Sequence, residues 1–263
     1  MTGAALLLVI GSSGGSGGGS GAAQSSGRKR AKPASKTQPA APDPVLLLKP
    51  GEVLDFTVHF SKLNNVANIR IGVNGLKDFY GRSAWHLQAF AHTVKPLRIV
   101  FELDDQFDSY SDATTLASFQ YELHLRERGQ TVNSVLRMTT GAEPAPANAT
   151  AARVLPGTRD PLGFLQFLRT TDWTKTKEVR GPVFDGHRLY DVRARLAQPA
   201  ASVQIPAGVF AASQIGLQVY ENGKEMKDTR FTLSLANNPA RTPVLLEAEL
   251  QLCTARIELI RFQ

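Results

Sequence analysis

From Glu52 onward the chain alternates. In EVLDFTVHF, Leu54, Phe56, Val58 and Phe60 fall on one side of an extended chain, with Asp55, Thr57 and His59 on the other. ANIRIGVN repeats the pattern, with Ala67, Ile69, Ile71 and Val73 against Asn68, Arg70 and Asn74. Such one-sided alternation predicts antiparallel strands with one face on a core and the other toward water. Further strands are expected at AWHLQAFAHT, LRIVFEL, SFQYELHLRER, TVNSVLRMT, RLYDVRARL, GVFAASQIGLQVY and TRFTLSL, some of them separated by turn signals such as NGL and ENGK. In SVQIPAGVFAAS a proline, an alanine and a glycine interrupt two strand-like runs. Pro206 cannot donate to a ladder and Gly208 accepts positive φ, so a hairpin turn is expected there.

Two segments depart from period two. The closing run PVLLEAELQLCTARIELIRF changes phase, since Leu246, Ala248, Leu250 and Leu252 share one parity and Ala255, Ile257 and Leu259 the other. A bulge or turn near Cys253 and Thr254 would return both sets to one face. RDPLGFLQFLRTTDW has the marks of a helix start: Asp160 to accept from the first amides and Pro161 with φ already set. Leu162, Leu165 and Leu168, with Phe164 nearby, then form an apolar stripe at helical spacing. The expected fold is mainly β, a large curved antiparallel sheet or partly closed β-barrel with one short α-helix near 160–170.

The first 44 residues belong to another class of chain. AALLLVI at 4–10 is far shorter than the roughly 20 residues that span a bilayer, and it leads into GSSGGSGGGSGAAQSSG, a basic GRKRAK cluster and a proline-rich stretch. The run resembles the apolar part of a secretory signal cut after Ala23, although no basic residue precedes it. It carries no cysteine for a lipid anchor. Gly17, Gly19 and Ala22 match G-x-G-x-x-A, but no strand and helix flank them as a dinucleotide site requires, so residues 1–44 read as a signal-like run and a disordered linker. Residues 45–263 read as a single antiparallel β domain.

Charge removes one class of function. The chain has a formal net charge of +7, yet five basic residues and one acidic residue lie in the first 45, leaving 25 against 22 in the remainder. So even a balance gives no footprint for nucleic acid. The one cysteine, Cys253, excludes an internal disulfide and paired-cysteine zinc sites, and its apolar surroundings suggest a small buried hydrophobe.

Candidate chemistry is sparse. His86 and His92 share a strand face but stand six residues, roughly 20 Å, apart. His124 with Glu122 and His59 with Asp55 would need strand pairings to become ligands. DDQFDSYSD gathers carboxylates and hydroxyls, most simply a polar strand edge or turn, although such groups also serve as acid and base or bind a cation. No nucleophile elbow, zinc-protease motif or P-loop is present. No metal, cofactor or catalytic residue is assigned. The large apolar groups Trp85, Phe164, Phe167 and Trp173 fall on an inner face or near the helix. They read as core or as the lining of an apolar groove between a curved sheet and a helix.

The order of GEVLDFTVHF, DDQFDSYSD, DPLGFLQFLRT, IPAGVFAASQI and ARTPVLLEAEL resembles the bacterial domain of unknown function family 3108, over about residues 50–263. LCTA stands where that resemblance leads one to expect a glycine between the last two strands. The resemblance implies an exported, periplasmic β-rich protein and carries over no activity and no catalytic residues. Three functions are therefore set side by side. The first is a non-enzymatic cell-envelope domain that binds a lipid or another apolar or amphipathic ligand. The second is a structural protein that binds an envelope protein through a sheet edge or exposed face. The third is a hydrolase that sets His59, His86, His92 or His124 beside a hydroxyl or carboxylate.

Overall fold

The computed structural model describes residues 47–141, 147–250 and 253–263; the signal-like run and the linker lie outside them. The first half of the chain forms β1 (Val53–Phe60), β2 (Leu63–Asp78), β3 (Ser83–Thr93), the helical turn α1 (Leu97–Val100), β4 (Asp104–Asp112), β5 (Ser118–Glu127), β6 (Gln130–Thr139) and β7 (Thr150–Arg153). Helix α2 (Pro161–Thr170) follows, and then β8 (Glu178–Phe184), β9 (Leu189–Ile205), β10 (Gly208–Glu221), β11 (Lys224–Glu225), β12 (Thr229–Ala236), β13 (Pro243–Leu250) and β14 (Cys253–Phe262). The strands make one sheet in the order β7-β6-β5-β4-β3-β2-β1-β14-β13-β12-β10-β9-β8, with β11 beside β10. Every pairing is antiparallel except β6 with β7. The first and last strands meet at the middle of the sheet, where β1 pairs with β14.

The curled sheet does not close through a strand pair. The segment leading into α2 instead bridges β5 and the edge strand β8: Ser118 N–H donates to Thr158 O at 2.9 Å, Arg159 N–H to Pro182 O at 3.1 Å, and Phe184 N–H to Arg159 O at 2.9 Å. This covers part of the edge of β8, which Pro182 also blunts.

The alternation read from sequence sorts as expected. Leu54, Phe56, Ile69, Ile71, Leu87 and Phe107 face inward and form one core with Trp85 and Tyr121. Val192, Ile215, Val219, Phe231 and Leu233 from the other half form a second. Helix α2 lies between the two, giving Leu162 to the first and Phe164 and Leu168 to the second. Its start is the one the sequence specifies: the Asp160 side chain accepts from the amides of Leu162 and Gly163, both at 2.9 Å, and Pro161 opens the first turn. At its end the Arg241 guanidinium donates to the carbonyls of Arg169, Thr170 and Thr171 at 3.1, 3.2 and 2.7 Å, meeting acceptors that a helix end leaves free.

Other expectations need correction. LRIVFEL is not a strand, because residues 97–100 form α1 and β4 begins only at Asp104. Ile99 and Val100 are 77% and 73% exposed, so their apolar character marks no core face. DDQFDSYSD is neither edge nor turn. As β4 it is paired on both sides. Around the phase change near the C-terminus Leu250 pairs with Cys253, and Leu246↔Ile257 and Ala248↔Ala255 are cross-strand partners, so these residues of both sets share a face. Residues 251 and 252 lie outside the described residues, and Cys253 is half-buried rather than buried. The hairpin at 205–208 forms as read, with Gly208 at φ +133°. Its tip folds back so that Ala207 N–H donates to Leu259 O at 3.1 Å.

Candidate functional site

Beneath α2 lies a cavity of about 130 Å³. Its wall is built from the inward faces of several strands: Phe56 of β1, Ile69 and Ile71 of β2, Val192 of β9, Leu217 and Val219 of β10, Phe231 and Leu233 of β12, and Leu246 of β13, roofed by Leu162, Phe164, Leu165 and Leu168 of α2. Every lining side chain is aliphatic, aromatic or proline, so water in this space would have no hydrogen-bond partner among the side chains, and apolar cavities of this size stay dry. Leu217 is only half-buried although Ile215 and Val219, its neighbours on the same face, are buried. Leu165 and Leu246 are likewise half-buried. Inward-facing leucines that keep solvent contact mark the side where the cavity meets the surface.

Polar contacts hold the roof at both ends. At the first turn Asp160 is fully buried and accepts from the hydroxyls of Ser109 at 2.5 Å and Ser118 at 2.6 Å as well as from the two helix amides. Burial pushes its carboxyl up, and the four hydrogen bonds oppose that rise without cancelling it. Gly163 is needed here: a Cβ would stand 2.8 Å from Ser111 Oγ and 3.1 Å from Leu116 O. At the last turn Arg169 has no exposed side-chain surface, yet it makes a two-pronged ion pair with Glu52, each N–O distance 2.8 Å, and also donates to Gln166 Oε1 and Ala240 O.

The four aromatic candidates are dispersed. Phe164 lines the cavity. Trp85, 1% exposed, fills the first core. Trp173 fills the second and donates its Nε1–H to Leu168 O at 2.9 Å. Phe167, on α2 itself, is half-buried, with the Arg159 guanidinium 3.8 Å over its ring. Leu217, Phe231 and Leu246, which the sequence reading did not single out, complete the wall. They come from strands that share one alternating pattern, so no local signal separates them from ordinary core residues.

The candidate hydrolytic groups do assemble in part. His86 Nε2 lies 2.7 Å from Asp108 Oδ1, and its ring stacks on Tyr110 at 4.8 Å. Asp108 also accepts from Gln88 and Gln106; its carboxyl, pushed up by burial, is pulled further down by these hydrogen bonds and sits below the usual range. The alternation of β4 then decides the geometry: Asp108 and Tyr110 point outward with His86, whereas Ser109 and Ser111 point inward, Ser109 to Asp160 and Ser111 to the Ser109 and Ser118 hydroxyls. The sheet stands between histidine and hydroxyl, so these residues make no serine–histidine–aspartate set. His59 and His124 approach Glu258 and Glu122 at 3.5 and 3.4 Å. No group of three or more metal-ligating side chains is arranged for an ion among the described residues.

The architecture is shared with a solved β-barrel-like protein of domain of unknown function DUF1849 from Brucella abortus, at a TM-score of 0.54 and 11% identity over 83% of this chain and 98% of that one. Two more distant matches are a Bacteroides fragilis protein of YmcC-like fold thought to be exported (TM-score 0.37, 8% identity, 82% and 96% coverage) and a Parabacteroides distasonis protein thought to be a lipoprotein (0.36, 11%, 82% and 96%). No curated protein sequence matches the chain. The family model that does match spans residues 55–260 and is described as Protein of unknown function (DUF3108), and the chain belongs to that family.

Proposed function

We propose that this domain is a non-enzymatic binding protein of the bacterial cell envelope that takes up an apolar or amphipathic molecule beneath α2. The observation that carries the reading is the cavity itself, with no polar side chain on its wall and three half-buried leucines at its side. A well-packed core leaves few voids larger than a water molecule, so an unfilled apolar space with solvent contact suits a ligand. Its size sets a bound: an apolar cavity of about 150 Å³ takes up benzene, so with α2 in place this one holds the end of a chain or a single ring rather than a whole lipid. The signal-like run at 4–10 and the family resemblance support the envelope location. A partner-binding reading draws on a different observation, the exposed Ile99 and Val100 of α1.

Native mass spectrometry of the full chain, purified without detergent from a bacterial host, tests the proposal. The expected result is a stoichiometric apolar or amphipathic adduct that is absent from Leu217→Trp, a substitution that fills the space from its half-open side. A protein that is bare and takes up no added decanol would overturn it.

A further inference from the structure

Beyond the cavity, the sheet has a fork in its wall. Strand β10 runs beside β12 from Ala212↔Ala236 to Leu217↔Phe231, after which the two strands part. From there β10 takes β11 as its neighbour, through Tyr220↔Glu225 and Glu221↔Lys224, and Met226 N–H closes the turn onto Val219 O at 2.9 Å. A cleft of about 510 Å³ lies at this fork. Leu217, Val219 and Phe231 line both the cleft and the apolar cavity. These three side chains therefore stand between an apolar cavity and a cleft that carries charged groups.

The cleft has a mixed lining, Ala197, Met226 and the three shared apolar side chains beside charged groups of mostly positive sign. Arg195, Lys227 and Arg230 line it, against one carboxylate, Glu225. Arg195 is neutralised by Glu178 at 2.7 Å, and Glu225 already accepts from the Gln218 amide at 3.2 Å. Lys227 and Arg230 are exposed and have no ion-pair partner among the described residues, although Glu249 stands opposite Arg230 in the ladder. Two uncommitted cations beside an apolar cavity match a molecule with one hydrocarbon end and one anionic end. A charged head cannot follow its chain into the cavity, whose wall offers no polar side chain to replace its hydration, whereas lysine and arginine in the cleft supply charge-assisted hydrogen bonds.

We infer that the ligand is an anionic amphiphile, its chain end under α2 and its carboxylate or phosphate head in the cleft at Lys227 and Arg230. The inference rests on the binding reading of the cavity given above. Titrating the full chain at low ionic strength and below micellar concentrations with decanoate, decyl phosphate, decanol and decyltrimethylammonium tests it by calorimetry. Decanoate or decyl phosphate is expected to bind at least about 10-fold more tightly than the neutral and cationic chains, and which of the two prevails identifies the head. The doubly substituted Lys227→Gln/Arg230→Gln protein, altered only at exposed positions, is expected to lose about 10-fold in anion affinity while binding decanol unchanged. Equal binding of all four chains, or an anion preference that survives both substitutions, overturns the head-group inference and leaves the cavity reading standing. Failure of every chain to bind overturns both.

Discussion

Replacing Arg169 by methionine probes the anchor at the end of α2. The side chain is wholly buried and holds four hydrogen bonds, two of them to the Glu52 carboxylate. Methionine keeps much of the apolar stem but leaves Glu52, whose side chain is 9% exposed, without its counter-charge, and removing one partner of a buried pair costs about 3–5 kcal/mol. For a domain of this size that is on the order of 10 °C in Tm. Glu52→Gln alone leaves the buried guanidinium uncompensated and is expected to cost a comparable amount. With both substitutions no buried charge is stranded, so the pair should cost roughly 2–3 kcal/mol less than the sum of the single changes. Urea unfolding of the four proteins, with m-values compared to establish a common unfolded state, measures that coupling. Strictly additive losses would refute the claim that Arg169 and Glu52 act as a unit in fixing the helix.

The other end of the roof makes a second prediction. Gly163→Ala gains about 1 kcal/mol of helix propensity but drives a Cβ to 3.1 Å from the Leu116 carbonyl, a backbone atom that cannot swing aside, so a net loss of roughly 1–2 kcal/mol in urea unfolding is expected. A third concerns Asp105, which faces inward on β4, accepts only the Arg126 amide, and has its carboxyl pushed to about 7 by burial, reinforced by the nearby Glu127 and Asp104. Because the folded state then holds a proton that the unfolded state has already released, stability should fall as pH rises from about 4 to 7. Asp105→Asn should accordingly raise Tm at pH 8 and leave it nearly unchanged at pH 4.5. A pH profile identical to that of the parent protein would show that Asp105 does not titrate in this window.

How far the sequence could be read depends on whether each signal was local. Leu54, Phe56 and Val58 declare an inner face within nine residues, and Asp160-Pro161 declares a helix start within two. β4 was misjudged because its inner positions include Asp105, Ser109 and Ser111, where a core face should be apolar. Their justification lies elsewhere in the chain: Ser109 points inward to meet Asp160, 51 residues later. The opposite error occurred at Ile99 and Val100, whose apolarity suggested a strand while the surrounding turn leaves them in solvent. The cavity was the least legible feature for a physical reason. Large aromatic side chains such as Trp85 and Trp173 fill space, whereas space remains open where leucines of intermediate size face one another, as do Leu217, Leu233 and Leu246 under Leu165. A choice of lining residues by size alone favours the groups best able to close a groove.

The two anchors also bear on how a ligand would reach the cavity. Lifting α2 would break the Arg169–Glu52 pair and uncover Asp160, Ser109 and Ser118 together. Both charges would be hydrated once the helix left, so the restraint is the joint loss of these hydrogen bonds and of the apolar area that Leu162, Phe164 and Leu168 bury. The wall at the β10–β12 fork has no comparable restraint. Leu217 is already half-exposed, the backbone pairing between the two strands stops after Leu217↔Phe231, and the side chains of Leu217, Val219 and Phe231 are apolar, with no hydrogen bond to break when they move. Rotamer changes of these aliphatic and aromatic side chains break none of the helix's polar contacts. Access through the fork, with α2 as a fixed roof, therefore disturbs fewer contacts than access under the helix.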